Sequence, residues 1–286
     1  MVAPELPNTL INGERCETLA VSDRGLAYGH GVFETIRVSN GHPVLWKQHM
    51  ERLQQGCAKL GITVPEQLST LLMNDLSQLC CDVVDAVIKV IITAGTGGRG
   101  YAPPKITDSQ RLVTLFPLPS YPVERSEQGV QVITCDYRLP HNARLAGIKH
   151  LNRLDQVLAR SEWQDSEIAE GIVLDIENNV IEGTMSNVFA VIDGILTTPI
   201  LTQAGVKGVM RDFILESALS MGIQSREVVL SVADFKNAAE VFVCNSVIGL
   251  WPIKQWDQQH YSKGVITDSL QQRVAHLFSQ DIGTQS

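Results

Sequence analysis

An α+β chain of two domains is what the sequence predicts. Strand and helix signals are interspersed, without the regular βαβ rhythm of a doubly wound sheet. The 286 residues exceed one ordinary domain of roughly 100–200 residues. Residues 117–122 hold three prolines in six positions, a stiff stretch that continues neither helix nor strand. The boundary is therefore placed at about 117–122, between a smaller N-terminal α/β domain, 1–118, and a larger C-terminal domain, 123–286.

The chain opens as β structure. Leu10-Ile11 leads into an Asn12-Gly13 turn, and residues 32–38 form a run of strand formers. Asn40-Gly41, a two-residue hairpin signal, joins that run to a strand at 42–46. Trp46, Met50, Leu53, Cys57 and Leu60 then fall at helical spacing, with Gly61 as a stop, and a second helix is expected over 66–79. Residues 86–93 and 111–116 read as strands. Beyond the prolines, strands are expected at 130–134, 171–175, 188–192 and 241–244, and helices at about 151–163, 207–221 and 268–278.

Composition narrows the function classes. With 23 Lys+Arg against 31 Asp+Glu, a net charge of −8 and no basic run, nucleic acid is not the expected partner. No apolar stretch approaches the roughly 18 residues of a membrane span, so no membrane partner is expected. The N-terminus lacks the basic region and apolar core of a secretory signal. Six cysteines, single apart from Cys80-Cys81, follow neither zinc-ligand nor disulfide-framework spacing. A reduced, cytoplasmic, globular protein with no metal is the expectation.

Most common catalytic motifs are absent. Gly95-Thr96-Gly97-Gly98-Arg99-Gly100 satisfies G-x-G-x-x-G after a strand, but Tyr101-Ala102-Pro103-Pro104 does not open the helix that a dinucleotide site needs. A glycine-rich surface loop carrying Arg99 is the expected form. Two other segments carry chemistry. Lys149 lies among apolar neighbours just before a helix; a pocket there would make its amine a nucleophile able to form a Schiff base, whereas in the open it is a solvated loop charge. Glu182, in Val180-Ile181-Glu182-Gly183-Thr184-Met185-Ser186-Asn187, is either a turn residue or a buried carboxylate able to hold a pyridine nitrogen protonated.

With three further segments, these resemble the fold-type-IV pyridoxal phosphate (PLP) enzymes, which include branched-chain and D-amino-acid aminotransferases and 4-amino-4-deoxychorismate lyases. The other segments are Asp23-Arg24-Gly25-Leu26-Ala27-Tyr28-Gly29-His30-Gly31-Val32-Phe33-Glu34-Thr35, His49-Met50-Glu51-Arg52-Leu53, and Ala204-Gly205-Val206-Lys207-Gly208-Val209-Met210-Arg211. The five occur in register over about residues 10–255. The resemblance implies a two-domain α+β fold of the D-amino-acid aminotransferase type, with PLP as cofactor and Lys149, in the C-terminal domain, as the Schiff-base lysine. It implies that Glu182 meets the pyridine nitrogen. Arg52, the backbone amides of Val209 and Met210, and Ser246 would hold the phosphate. The assignment of Val209 and Met210 suits a helix start, which offers open N–H donors and a favourable dipole.

Within the family the chain is most similar to the lyases, over 141–158 and Glu240-Val241-Phe242-Val243-Cys244-Asn245-Ser246. Branched-chain aminotransferases carry a tyrosine shortly after the lysine, where this chain reads Asn152-Arg153-Leu154. The positions of the D-amino-acid carboxylate trap read Phe33, Arg99 and Tyr101, so only the arginine remains. His30 stands where the family usually has aspartate and is read as structural. The implied reaction is elimination of pyruvate from a small-molecule substrate with two carboxylates, for which Arg99 and Arg153 are candidate partners. The resemblance further implies a homodimer with the active site near its interface. The alternative is an aminotransferase on the same scaffold.

Overall fold

The computed structural model describes residues 8–80 and 83–279. The readings of 1–7, of Cys81 and of the tail beyond 279 fall outside those residues. The chain forms two compact units. One takes the described residues up to Pro119 together with Lys149–Asn152; the other takes Ser120–Ile148 and Arg153–Phe278.

The first unit is built on the strands β1 (Thr9–Ile11), β2 (Glu14–Arg15), β3 (Gly31–Ser39), β4 (His42–Pro43), β5 (Ala86–Thr93) and β6 (Gln110–Pro117). They lie in the order β2-β1-β6-β5-β3-β4, every pair antiparallel. Both Asn-Gly turns form with positive φ at each residue, 53° and 91° at Asn12-Gly13 and 50° and 76° at Asn40-Gly41, the conformation that matches strand twist in a hairpin. The expected strand at 42–46 stops after Pro43. Leu45 turns left-handed at φ 53° and Trp46 already begins a helix. Helices α1 (Arg24–Tyr28), α2 (Trp46–Lys59) and α3 (Leu68–Leu79) complete the unit. The apolar stripe of α2, Met50, Leu53 and Cys57, is buried, as its spacing demands.

The Lys149–Asn152 segment, expected in the C-terminal domain, clusters with the first unit for a backbone reason. Phe33 N–H donates to the Lys149 carbonyl at 2.9 Å and Leu151 N–H to that of Gly31 at 3.0 Å. Asn152 Nδ2 donates to the Gly29 carbonyl at 3.2 Å. Gly29, at φ +63°, admits this approach because a Cβ there would lie 2.2 Å from Asn152 Oδ1.

The second unit holds β7 (Val130–Leu139), β8 (Ile168–Asp175), β9 (Val180–Gly183), β10 (Asn187–Ile192), β11 (Ile195–Pro199), β12 (Ser225–Val228), β13 (Glu240–Asn245), β14 (Gly249–Trp256) and β15 (Gln259–His260). Its sheet runs β12-β11-β10-β13-β14-β7-β8-β9, with β15 paired to β14. Helices α4 (Glu124–Glu127), α5 (Leu154–Arg160), α6 (Val209–Ser220), α7 (Val232–Lys236) and α8 (Val265–Ser279) accompany it. Helix α5 is shorter than the expected 151–163 because Leu151 is pinned to β3 and Trp163 is buried in a cluster with Cys135 and Val173. A larger core gathers Val132, Ile172, Val188, Phe235, Val243, Trp251 and Trp256. Among the described residues no helix is long and apolar enough to cross a membrane.

Candidate active site

Strand alternation decides what the first unit contributes. Val32, Glu34 and Ile36 point to the buried face of β3, leaving Phe33, Thr35 and Arg37 half-buried on the other. A carboxylate on an apolar face requires partners, and α2 supplies two. Arg52 Nε donates to Glu34 Oε1 at 2.8 Å and Arg52 Nη2 forms a second, short contact to Oε2. His49 Nδ1 lies 2.7 Å from Oε2. Burial by itself raises the Glu34 pKa, but the Arg52 charge and the hydrogen bonds from Arg52 and His49 outweigh it and bring the group to about 2. His49 is driven the opposite way: burial lowers its pKa against the pull of Glu34, and the charges of Arg52 and Lys149 lower it further. A neutral ring with its proton on Nδ1 therefore donates to an ionised Glu34, whose charge is balanced by Arg52.

On the other face of β3, the Lys149 Nζ stands 4.4 Å from the centre of the Phe33 ring and the Lys89 Nζ 5.5 Å from it. Arg99 and Tyr101 sit exposed in the glycine-rich loop, which passes through irregular chain to Gln110 with no helix opening. The nucleotide fingerprint thus lacks the helix it needs.

In the second unit Glu182 lies on β9, 5% exposed. Val206 N–H donates to its Oε2 at 2.7 Å and Gln156 Nε2 approaches Oε1 at 3.3 Å. Gln156 Oε1 is buried with no hydrogen-bond partner among the described residues. Arg153, just before α5, is half-buried: burial lowers its pKa, opposed by the charges of Glu182 and Asp155. The first turn of α6 presents Val209 and Met210, both buried, behind Gly208. The ladder starts only with Asp212 N–H to the Gly208 carbonyl at 3.0 Å, so the amides before it are the open donors of a helix start. Ser246 is held on a turn in which Asn245 Oδ1 accepts from Val247 N–H at 2.8 Å and Ile248 N–H at 2.9 Å.

Sequence reasoning missed four supporting residues: Glu34, His49, Lys89 and Glu170. The fully buried Glu170 accepts from the hydroxyls of Thr184 at 2.6 Å and Ser186 at 2.7 Å, and from the amides of Gly171, Thr184 and Met185. It thereby shapes the turn that follows Glu182. Burial raises its pKa, opposed by these bonds. A period-2 count would have flagged Glu34, and the apolar stripe of α2 would have flagged His49. Elsewhere in this unit His141, Asp175 and Glu177 bring ligand atoms within 4.8 Å of one another. Both Asp175 oxygens already accept, from the amides of Glu177 and Asn179 and from His141 and Asn179 Nδ2, which makes this cluster a turn clasp.

The family description for class IV amino-transferases matches residues 31–256. The chain is 37% identical over 243 residues to an aminodeoxychorismate lyase of Vibrio harveyi, covering 85% of this chain and 89% of the relative. It is 30% identical over 279 residues to the branched-chain-amino-acid aminotransferase of Escherichia coli, 91% of this chain and 87% of that one. Among solved structures, it is similar to the 4-amino-4-deoxychorismate lyase of Pseudomonas aeruginosa. The TM-score there is 0.90, with 42% identity and coverage of 94% of this chain and 98% of the other.

Proposed function

The chain belongs to the class IV amino-transferase family, and from that premise we propose that it is a PLP-dependent lyase converting 4-amino-4-deoxychorismate into 4-aminobenzoate and pyruvate. The groups on the two units suit the cofactor by their chemistry: an amine at Lys149 for the aldehyde, a buried carboxylate at Glu182 for a pyridinium, and a guanidinium and open helix amides for a phosphate dianion. Arg52, which also bonds Glu34 through Nε and Nη2, is the guanidinium assigned to phosphate.

PLP, when bound, supplies the electron sink for proton loss at the carbon bearing nitrogen. Lys149 Nζ would hold the aldehyde of PLP and, once free, would take that proton as general base. Glu182 would keep the pyridine nitrogen protonated. The C–H bond and the C–O bond to the enolpyruvyl group would break, and the leaving enolpyruvate would take up the proton from Lys149 Nζ and depart as pyruvate. Aromatisation drives the step and no second keto acid is consumed. Arg99 and Arg153 are the proposed partners of the two substrate carboxylates.

The observation that carries this reading is the Phe33 ring beside Lys149 Nζ. A hydroxyl there would help trap an α-carboxylate, whereas a phenyl face suits a flat cyclic substrate. The test is incubation of purified holoenzyme with aminodeoxychorismate and no added keto acid, measuring pyruvate and 4-aminobenzoate. Equimolar release supports the lyase. Turnover that appears only with a keto acid would make the protein an aminotransferase, the reading favoured by the Escherichia coli relative.

Two further expectations follow from the same assignment. Arg52→Ala weakens PLP retention by roughly tenfold or more, since a charge-assisted phosphate contact is lost; unchanged affinity on titration of the apoenzyme would contradict the role. The protein is proposed to work as a homodimer in the cytoplasm, with the glycine-rich loop completing a neighbouring site. Cys16, Cys57, Cys135 and Cys244 are free thiols, as a reducing compartment maintains them, and burial pushes Cys57 and Cys135 up to about 12. Full activity in a demonstrated monomer would rule the shared site out.

A further inference from the structure

Arg24 is an unusual buried cation. It is 3% exposed, yet its guanidinium meets no carboxylate among the described residues. Instead Nη1 donates to the Gly100 carbonyl at 3.2 Å and Nη2 to that of Tyr101 at 2.9 Å. The guanidinium also lies 4.9 Å from the Tyr28 ring, which packs edge-on against Tyr101 at 5.5 Å. Gly97 is glycine for the same reason, because a Cβ there would come within 2.8 Å of Arg24 Cδ. The loop that carries Arg99 is therefore moulded around one side chain.

His30 fixes that side chain. Arg24 Nε donates to His30 Nδ1 at 3.1 Å, so Nδ1 must be the unprotonated acceptor. His30 Nε2 lies 2.9 Å from the Leu60 carbonyl and must carry the proton. Geometry thus selects one neutral tautomer. A proton added to Nδ1 would face the Arg24 N–H and set two cations against each other.

We propose that Arg24 is the positioning residue of the glycine-rich loop and that neutral His30 locks it there, so that protonating His30 releases the loop. The lock rests on the reading above that this loop presents Arg99 to an anionic substrate. The groups around it are few. From α1 comes Arg24 itself, with Tyr28. From the end of α2 comes the Leu60 carbonyl, with Lys59 in the last turn. From the loop come Tyr101 and the exposed Arg99. Asp23 is turned away, accepting from Gly25 and Leu26 N–H and from the Thr93 hydroxyl.

Hydrogen–deuterium exchange of the PLP-loaded protein at pH 7.5 and 5.5, corrected for intrinsic exchange, reads the loop directly over 95–103. Wild type should lose about tenfold of its loop protection on acidification. His30→Asp places a carboxylate oxygen where Nδ1 stood, giving Arg24 an ion pair that persists at both pH values, and should stay protected. His30→Asn supplies a non-titrating acceptor at the same position and carries the comparison if the aspartate variant fails to fold. Arg24→Lys should lose protection at both pH values and raise KM by about tenfold with kcat little changed. Wild type and the His30 variants responding alike to pH, or an undisturbed loop in Arg24→Lys, would overturn the proposal. Exchange is read without turnover, so a protein inactive on aminodeoxychorismate would sink the lyase reading and leave this one standing or falling by itself.

Discussion

Lys149→Ala should release pyruvate from aminodeoxychorismate at least about a thousandfold more slowly than wild type, because one amine is both the covalent anchor and the general base. The loss should be chemical and not structural. The segment is tied to β3 by Phe33 N–H to the Lys149 carbonyl, Leu151 N–H to the Gly31 carbonyl and the bridge between Val32 and His150, all backbone contacts that alanine preserves. The melting temperature of the apo variant should therefore match that of the apo wild type. Borohydride reduction followed by peptide mass spectrometry should find the PLP adduct on Lys149 in wild type and on no residue of the variant. Near-normal pyruvate release from Lys149→Ala would refute the assignment.

How far the sequence discloses this site depends on which force places each residue. Strand β5 has the bounds expected, 86–93, because its β-branched run is paired on both sides, with β3 and β6. Both Asn-Gly hairpins are legible for a local reason: asparagine and glycine adopt the positive φ values involved at little cost. Motifs with their own chemistry, such as the lysine, the β9 acid and the α6 start, are visible too. What local reading cannot supply is where a segment docks. Lys149–Asn152 precedes a helix in the chain but bonds sideways to β3, more than a hundred positions earlier, so the domain split at 117–122 misplaced it. The same holds for Arg52. The resemblance assigns it to phosphate, and its pairing of Nε and Nη2 with Glu34, eighteen positions away, is not legible locally. His30, which had no role from the motif alone, acquires one only when the loop at 95–101 folds around Arg24.

Glu34→Gln should be the most destabilising single change at the site, by about 3–5 kcal/mol, the usual result of stripping one partner from a buried ion pair. Glu34 is 1% and Arg52 14% exposed at the side chain, so water does little to replace the lost carboxylate charge. The effect has a pH signature. Glu34 titrates near 2 in the fold against 4.5 when unperturbed, so its stabilising share is complete above 4.5 and disappears as pH falls towards 2. His49 adds to the loss in acid. Its pKa is lowered by burial from an ordinary 6.5, so below that value the unfolded chain takes up a proton that the folded ring resists. Wild type should therefore begin to lose stability below about pH 6.5 and lose it steeply below 4.5. Glu34→Gln should be weaker at neutral pH and converge with wild type near pH 2. Urea unfolding across that range gives both curves. Parallel curves, offset equally at every pH, would show that Glu34 acts through packing alone and that Arg52 needs no counter-charge to keep its place.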